Sequence, residues 1–512
     1  MIMSSEVINN TRIAKNTILL YFRMIIVIVI NLYASRVILA QLGVDDYGIF
    51  NVVGGIVTMF GFLNNAMITS SQRFISYEQG RSDVVRQRMV YSSAVLVHWI
   101  IAVIVILMAE SIGLWIVETK LNIPQARMGA ACAVYHASVA VFVLKVIMVP
   151  DQASVVAHEN MSLYALVSIL DAVLQLVIIY ILRLVSSDKL IVYALLLVAV
   201  AVINNVIYGF YSRFSYKECR IQFKIEWGLF KEMLSFAGWS FVGNIGIALR
   251  GPGVNILLNR SFGPAVNAAR GLAAQVSSVV SNFVTNFQTA ANPQITKRYA
   301  AGMEDSMASL IKSTAKYSFF LLAIVVVPLY VRADQVLKLW LESVPELTLQ
   351  FLRLSLIVAL LNSMVGPFTT GLQATGRIKV FQIVIALIML AELPLAYFAL
   401  KLEIEPFKVV YVTIGTELIA LIARIVLLDR QISINVWKVL CSIVLRCAAV
   451  CLLMFLLPAF LQLVIPVTLP GLVLLCIISL MWSAGAIWIV GLDKKERGVF
   501  CSIVKSRIFT KA

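Results

Sequence analysis

The chain has 512 residues, 61% of them hydrophobic and 13% charged, with a mean hydropathy of +0.93. A soluble domain is about 45–50% apolar and about 25% charged, so a water-soluble protein of this length is excluded. Lysine plus arginine, 42, outnumber aspartate plus glutamate, 26, an excess that belongs first to loops facing anionic lipid and only second to an anionic substrate.

Residues 1–15 are polar, and the apolar run beginning at Asn16 continues without a small-residue cleavage site, which predicts a first span and not a removed leader. At about 20 residues per crossing, spans are expected at 16–40, 48–75, 89–109, 128–149, 155–182 and 190–211. A polar segment, 212–226, carries Arg213, Lys217, Arg220 and Lys224. A second six follow at 234–258, 265–291, 310–331, 349–372, 380–400 and 407–428, and two more at 439–463 and 467–490. These runs far exceed the roughly 10 alternating residues of a barrel strand, so the spans are helical. The expected fold is an all-α polytopic membrane protein of about fourteen helices. It has a lobe at 1–215, a second at 216–432, and two C-terminal helices with a tail at 433–512.

Positive charge collects on the even-numbered loops: Arg81, Arg86 and Arg88 after the second span, Lys297 and Arg298 after the eighth, Arg377 and Lys379 after the tenth. Odd-numbered loops are mixed or acidic, as at Asp45, Asp46 and Glu118. Both termini are therefore expected to be cytoplasmic. The halves look related. Gly43, Thr69 and Ile75 pair with Gly263, Thr289 and Ile295 at a shift of 220, and residues 150–157 pair with 367–374 at 217. A duplicated unit of six helices keeps one topology in both copies, which gives a parallel repeat with a cleft expected between the lobes.

Enzymatic constellations are missing from the sequence. His98, His136 and His158 lie on different spans or their ends, and no phosphate-binding GxxxxGK[ST] occurs for an ATP-driven pump. Cys441, Cys447, Cys451 and Cys476 fall in apolar runs and read as thiols. No metal, cofactor or nucleic-acid partner is expected; a coupling ion, H+ or Na+, is.

Ionisable residues inside spans cost at least about 2.5–3.5 kcal/mol at the bilayer centre and mark wet cavities or partners. Arg23, Lys145, Arg250, Arg270 and Arg353 are the cationic candidates for a substrate cavity, whose planar guanidinium forks suit phosphate. Arg36, Arg260 and Lys316 read as snorkelling to the interface. Asp171 and Glu392, with no local partner in sequence, are candidates for ion coupling. Glu417 has Arg424 seven residues on as a possible structural partner. Polar clusters include Asn64, Asn65 and Gln72 in the second span and Asn286 and Gln288 in the eighth, either lining a wet face or joining helices by hydrogen bonds. Gly251, Pro252 and Gly253 interrupt the seventh span, where a hinge or unwound segment is expected.

The stretches RIAKNTILLYFRMI, SRVILAQLGVDDYGIFNVVGGIV and SSQRFISYEQG, with ANPQITKRYAAG closing the eighth span, resemble the polysaccharide-exporter branch of the multidrug/oligosaccharidyl-lipid/polysaccharide superfamily, and within it the bacterial O-antigen flippases. The resemblance implies a flippase in the bacterial inner membrane, moving an undecaprenyl-pyrophosphate-linked oligosaccharide to the periplasmic leaflet by alternating access. It also implies contact with membrane lipids and with polysaccharide polymerase machinery. In the related peptidoglycan-precursor flippases, a first-span arginine matches Arg23 and an AxRL-like arginine matches Arg270 within AARGL. Two alternatives stay open: a peptidoglycan-precursor flippase, and a cation-coupled multidrug antiporter, which needs an acidic site. A membrane enzyme would need a large outer loop or a compact catalytic cluster, and the sequence has neither.

Overall fold

The computed structural model describes residues 16–498 apart from 32, 35–36, 39–40, 43–45, 47–48, 51–52, 55–56, 58–60, 82, 120–122, 221, 223–225, 263, 342–343, 403–404 and 495. Among the described residues there is no strand, and fourteen helices stand where fourteen spans were expected. The first three are α1 (Asn16–Asn31), α2 (Gly61–Arg81) and α3 (Val84–Met108). Next come α4 (Met128–Ala157), α5 (Met161–Leu184) and α6 (Lys189–Ser215). Then follow α7 (Trp227–Phe262), α8 (Pro264–Ala300), α9 (Glu304–Val331) and α10 (Thr348–Ala374). The last are α11 (Lys379–Lys401), α12 (Val409–Ile432), α13 (Val436–Leu461) and α14 (Leu469–Gly491). Ten of these are long and apolar enough to cross a membrane; α1 is shorter, and α2, α7 and α8 carry the more polar sequences.

Local chemistry sets several of the ends. Asp83 accepts from the Arg86 amide at the start of α3, Asn160 from Leu163 at α5, Asp188 from Leu190 and Ile191 at α6, and Thr468 from Gly471 at α14. Each satisfies an amide that the first helical turn leaves without a partner. Beyond α3 the chain makes a π-helical turn, Ala109–Gly113, whose buried carbonyl at Ala109 accepts from Tyr135 of α4 at 2.6 Å. Gly113 allows that approach, since a Cβ there would fall on the tyrosine hydroxyl.

The helices form two compact units, one of residues 14–244 and 296–302, the other of 245–295 and 303 onward. In the first unit α4 is central, packing on α2, α3 and α6, with α5 against α6. In the second unit α10 takes that place, packing on α9 and α12, with α11 against α12. The duplication is visible in detail. Pro150 sits inside α4 and Pro367 inside α10, and the helices end at Ala157 and Ala374. Two residues later Glu159 (φ 60°) and Gly376 (φ 78°) both turn in the left-handed region. Every pair is 217 residues apart, so one turn has kept its geometry while its sequence changed from Glu to Gly.

The second unit also carries α13 and α14, both packed on α9. Their connecting turn is tied down by Arg332 donating to Ile465 O at 2.6 Å and Gln335 to Thr468 O at 2.9 Å. The other end is held by Lys316, whose ammonium lies 2.6 Å from both carboxylate oxygens of Glu496, and by the Arg446–Asp493 ion pair. Lys316 is therefore buried and paired, 4% exposed, and does not snorkel. Its partner is on the segment after α14, which no local reading of α9 reveals. The six described cysteines are free.

Candidate functional site

Each unit contains a cavity that charged and polar side chains reach. In the first unit, α4, α5 and α6 enclose about 490 Å³, lined among others by Phe50, Lys145, Asp171, Gln175, Asn204 and Asn205. Asp171 reaches it from α5. Its Oδ1 accepts from Asn204 Nδ2 at 2.6 Å and its Oδ2 from Gln175 Nε2 at 3.0 Å. Both donors are neutral amides, and Asp171 has no ion pair among the described residues. Such a carboxylate, on the wall of a cavity within membrane-spanning helices, can take up a proton or a small cation. Lys145 lines the same cavity. Arg23 is not on its wall: it donates to Ser168 Oγ at 3.3 Å and lies over the Tyr164 ring of α5, 5.0 Å from its centroid. Gln72 is half-buried in α2 and absent from the cavity wall. The side chains of Asn64 and Asn65 lie outside the described residues, as do those of Arg36 and Arg260.

In the second unit a pocket of about 450 Å³ is lined by Arg250, Asn255, Arg270, Ser277, Ser278, Ser281, Ser355 and Thr413. Both arginines expected in a cavity are here, but their charges differ in availability. Arg250 Nη1 is 2.5 Å from Glu417 and its Nε 3.6 Å from Glu392. Glu392, 1% exposed, also accepts from Thr413 Oγ1 at 2.7 Å and Thr416 Oγ1 at 3.0 Å. The Asn362 amide lies 2.9 Å from Glu417. Glu392 is thus a buried partner of an arginine, and the ion-pair contact of Glu417 among the described residues is with Arg250 of α7, Arg424 of its own helix acting on it at longer range. Two acids neutralise Arg250. Arg270 instead donates to Gly251 O at 3.2 Å and to Asn255 Oδ1, with no carboxylate in ion-pair contact among the described residues. It gives the pocket its positive charge.

Other expected members fall elsewhere. Arg353 lies near the start of α10 with its guanidinium 5.5 Å from the Tyr330 ring centroid, away from the pocket wall. Gln288 donates to Ser318 Oγ at 3.1 Å and Ser363 O at 2.8 Å, joining α8 to α9 and α10, and Asn286 donates to Asn282 O at 2.9 Å. Gln288 thus joins helices, while the Asn286 bond stays within α8. The segment expected to unwind is helical, for α7 runs unbroken through residues 251–253. Gly253 is explained by packing: a Cβ there would lie 2.5 Å from Leu393 Cδ2 of α11, and one at Gly246 would lie 2.9 Å from Ala386 Cα. Sequence reasoning missed Gln175, Asn204 and Asn255, and also the serines at 277, 278 and 281, whose spacing of three and four was a legible helical stripe.

A family model, MatE, matches residues 240–398, the segment that holds Arg250, Arg270 and Glu392. No curated protein matches. Among solved structures, the chain is similar to an outward-facing multidrug resistance MATE family transporter of the MOP superfamily, at TM-score 0.70 and 16% identity over 83% of this chain and 96% of that one. A MATE structure in the bent conformation gives TM-score 0.71 at 16% identity, again over 83% and 96%. A MATE transporter in complex with Rb+ gives 0.65 at 14%, over 82% and 94%. The fold is that of the MATE transporters. Those structures are covered almost entirely, while about a sixth of this chain lies outside the match.

Proposed function

We propose that this chain is an ion-coupled secondary transporter of the MATE type, placed in a bacterial cytoplasmic membrane with both termini inside. The observation that supports this most is Asp171: a carboxylate held by two amides and by no cation among the described residues, on the wall of an internal cavity, in a fold shared with multidrug transporters. Protonation or cation binding at Asp171 removes a negative charge from that wall, and the energy of an ion gradient then biases which side the cavity faces. An antiporter of this kind exports amphipathic organic solutes. The earlier expectation of a mostly basic cavity argued against it, and the neutralisation of Arg250 by Glu417 and Glu392 weakens that objection.

A second reading, flipping of a polyprenyl-pyrophosphate oligosaccharide, is favoured by one observation: among the described residues no carboxylate is in ion-pair contact with Arg270, which lies in a pocket walled by five serine and threonine hydroxyls, a setting suited to phosphate oxygens. Lipid-linked oligosaccharide and polymerase partners belong to that reading alone. The experiment is Asp171→Asn in proteoliposomes. Loss of gradient-driven movement with retained folding supports the coupling role, and unchanged movement removes it.

A further inference from the structure

A groove of about 710 Å³ runs over α4 between α3 and α6, wholly within the first unit. Its walls are apolar, with Trp99 from α3, Ile147 from α4, and Val206 and Phe210 from α6. Trp99, Val206 and Phe210 are 51%, 62% and 71% exposed, on helices apolar enough to cross a membrane. At one end stand two opposite charges, Asp151 and Arg213, which form no ion pair with each other among the described residues. Asp151 is 5% exposed. Its Oδ1 accepts from Tyr91 at 2.6 Å and from Ser212, while its Oδ2 takes no hydrogen bond among the described residues. Gly209 lies beside that oxygen, where a Cβ would sit 3.6 Å from it in ordinary contact. Arg213 is exposed in the last turn of α6, at the membrane face that the loop charges make cytoplasmic.

Asp151 opens onto the groove, and a cationic N–H arriving at its Oδ2 gains a charge-assisted hydrogen bond. A lone anion would satisfy Arg213 and repel Asp151. We propose that the groove binds a phospholipid with a primary ammonium head group, phosphate on Arg213 and ammonium on Asp151 Oδ2, with an acyl chain lying along α6. The α6 wall from Val202 to Phe214 is about 18 Å long at 1.5 Å per residue, close to one leaflet of a roughly 30 Å hydrocarbon core. A quaternary ammonium has no N–H to give Asp151, and a glycerol head has no positive charge, so the site selects phosphatidylethanolamine over phosphatidylcholine and phosphatidylglycerol. The site is separate from the Asp171 cavity and does not depend on what is transported.

The test is native mass spectrometry of the full chain, titrated in turn with the phosphatidylethanolamine, phosphatidylglycerol and phosphatidylcholine of one acyl composition. The ethanolamine lipid should bind about tenfold more tightly than either of the others. Arg213→Gln and Val206→Trp, both at exposed positions, should each weaken it about tenfold with the melting temperature unchanged. Brominated phosphatidylethanolamine should quench the wild-type protein more than Trp99→Phe. Equal affinity for the three lipids, undiminished binding in either variant, or identical quenching in Trp99→Phe overturns the proposal.

Discussion

One buried ion pair, Lys316–Glu496, ties the segment after α14 to α9, and its removal has a calculable consequence. Lys316 has a side chain 6% exposed and Glu496 one 21% exposed. Glu496→Gln leaves the ammonium buried opposite a neutral amide, with Tyr317, 3.0 Å from the former carboxylate, as its neighbour. Breaking a buried pair from one side costs about 3–5 kcal/mol. At about 2 °C per kcal/mol for a unit of this size, that is a fall of roughly 6–10 °C. Lys316→Met differs, because Glu496 is partly hydrated and keeps the Asp493 amide at 2.8 Å, so its loss should be about 1 kcal/mol. The double variant leaves no uncompensated charge and should recover most of the stability. Thermal unfolding of the four proteins in one detergent gives the ranking directly. Equal losses in the two single variants, or additive loss in the double, would refute the reasoning.

Gly80→Ala places a Cβ 2.6 Å from Lys297 O and 2.9 Å from Lys297 Cα, and should lower stability by about 1–3 kcal/mol. Gly238→Ala, with nothing within 4 Å, should raise it by about 0.5–1 kcal/mol in the same melting assay. The hydrogen bond from Arg127 holds Asp188 below the usual carboxylate range. That stabilisation is complete above the ordinary carboxylate pKa and is lost as pH falls toward the depressed one. Melting scans from pH 7 to pH 3 should therefore show an acid-side loss that Arg127→Met abolishes. Glu417→Gln frees part of the Arg250 charge, so inorganic pyrophosphate should bind about fivefold more tightly, equivalent to ~1 kcal/mol, by calorimetry; unchanged or weaker binding counts against an anion pocket at Arg250 and Arg270.

The spans were legible because lipid demands runs of about 20 apolar residues whatever the fold, and the repeat because Pro150 and Pro367 hold the same place in α4 and α10. The candidate site was only half legible. Asp171, Lys145, Arg250 and Arg270 do line cavities, since an ionisable residue in an apolar run must face something polar. What each faces is set by tertiary contacts that periodicity does not encode. Arg250 meets Glu417 across 167 residues and Lys316 meets Glu496 across 180. The Gly251, Pro252 and Gly253 run reads as a helix breaker by propensity. In the structure the membrane helix persists, and Gly253 serves close packing against Leu393.

The most direct test of the central claim is transport by the purified protein in proteoliposomes with imposed proton or sodium gradients. A fluorescent organic cation and a polyprenyl-pyrophosphate oligosaccharide would each be offered as substrate. The account predicts movement of one of them that rises with a gradient and loses that dependence in Asp171→Asn. Movement of neither by folded protein, or movement indifferent to both gradients and to the substitution, would contradict it.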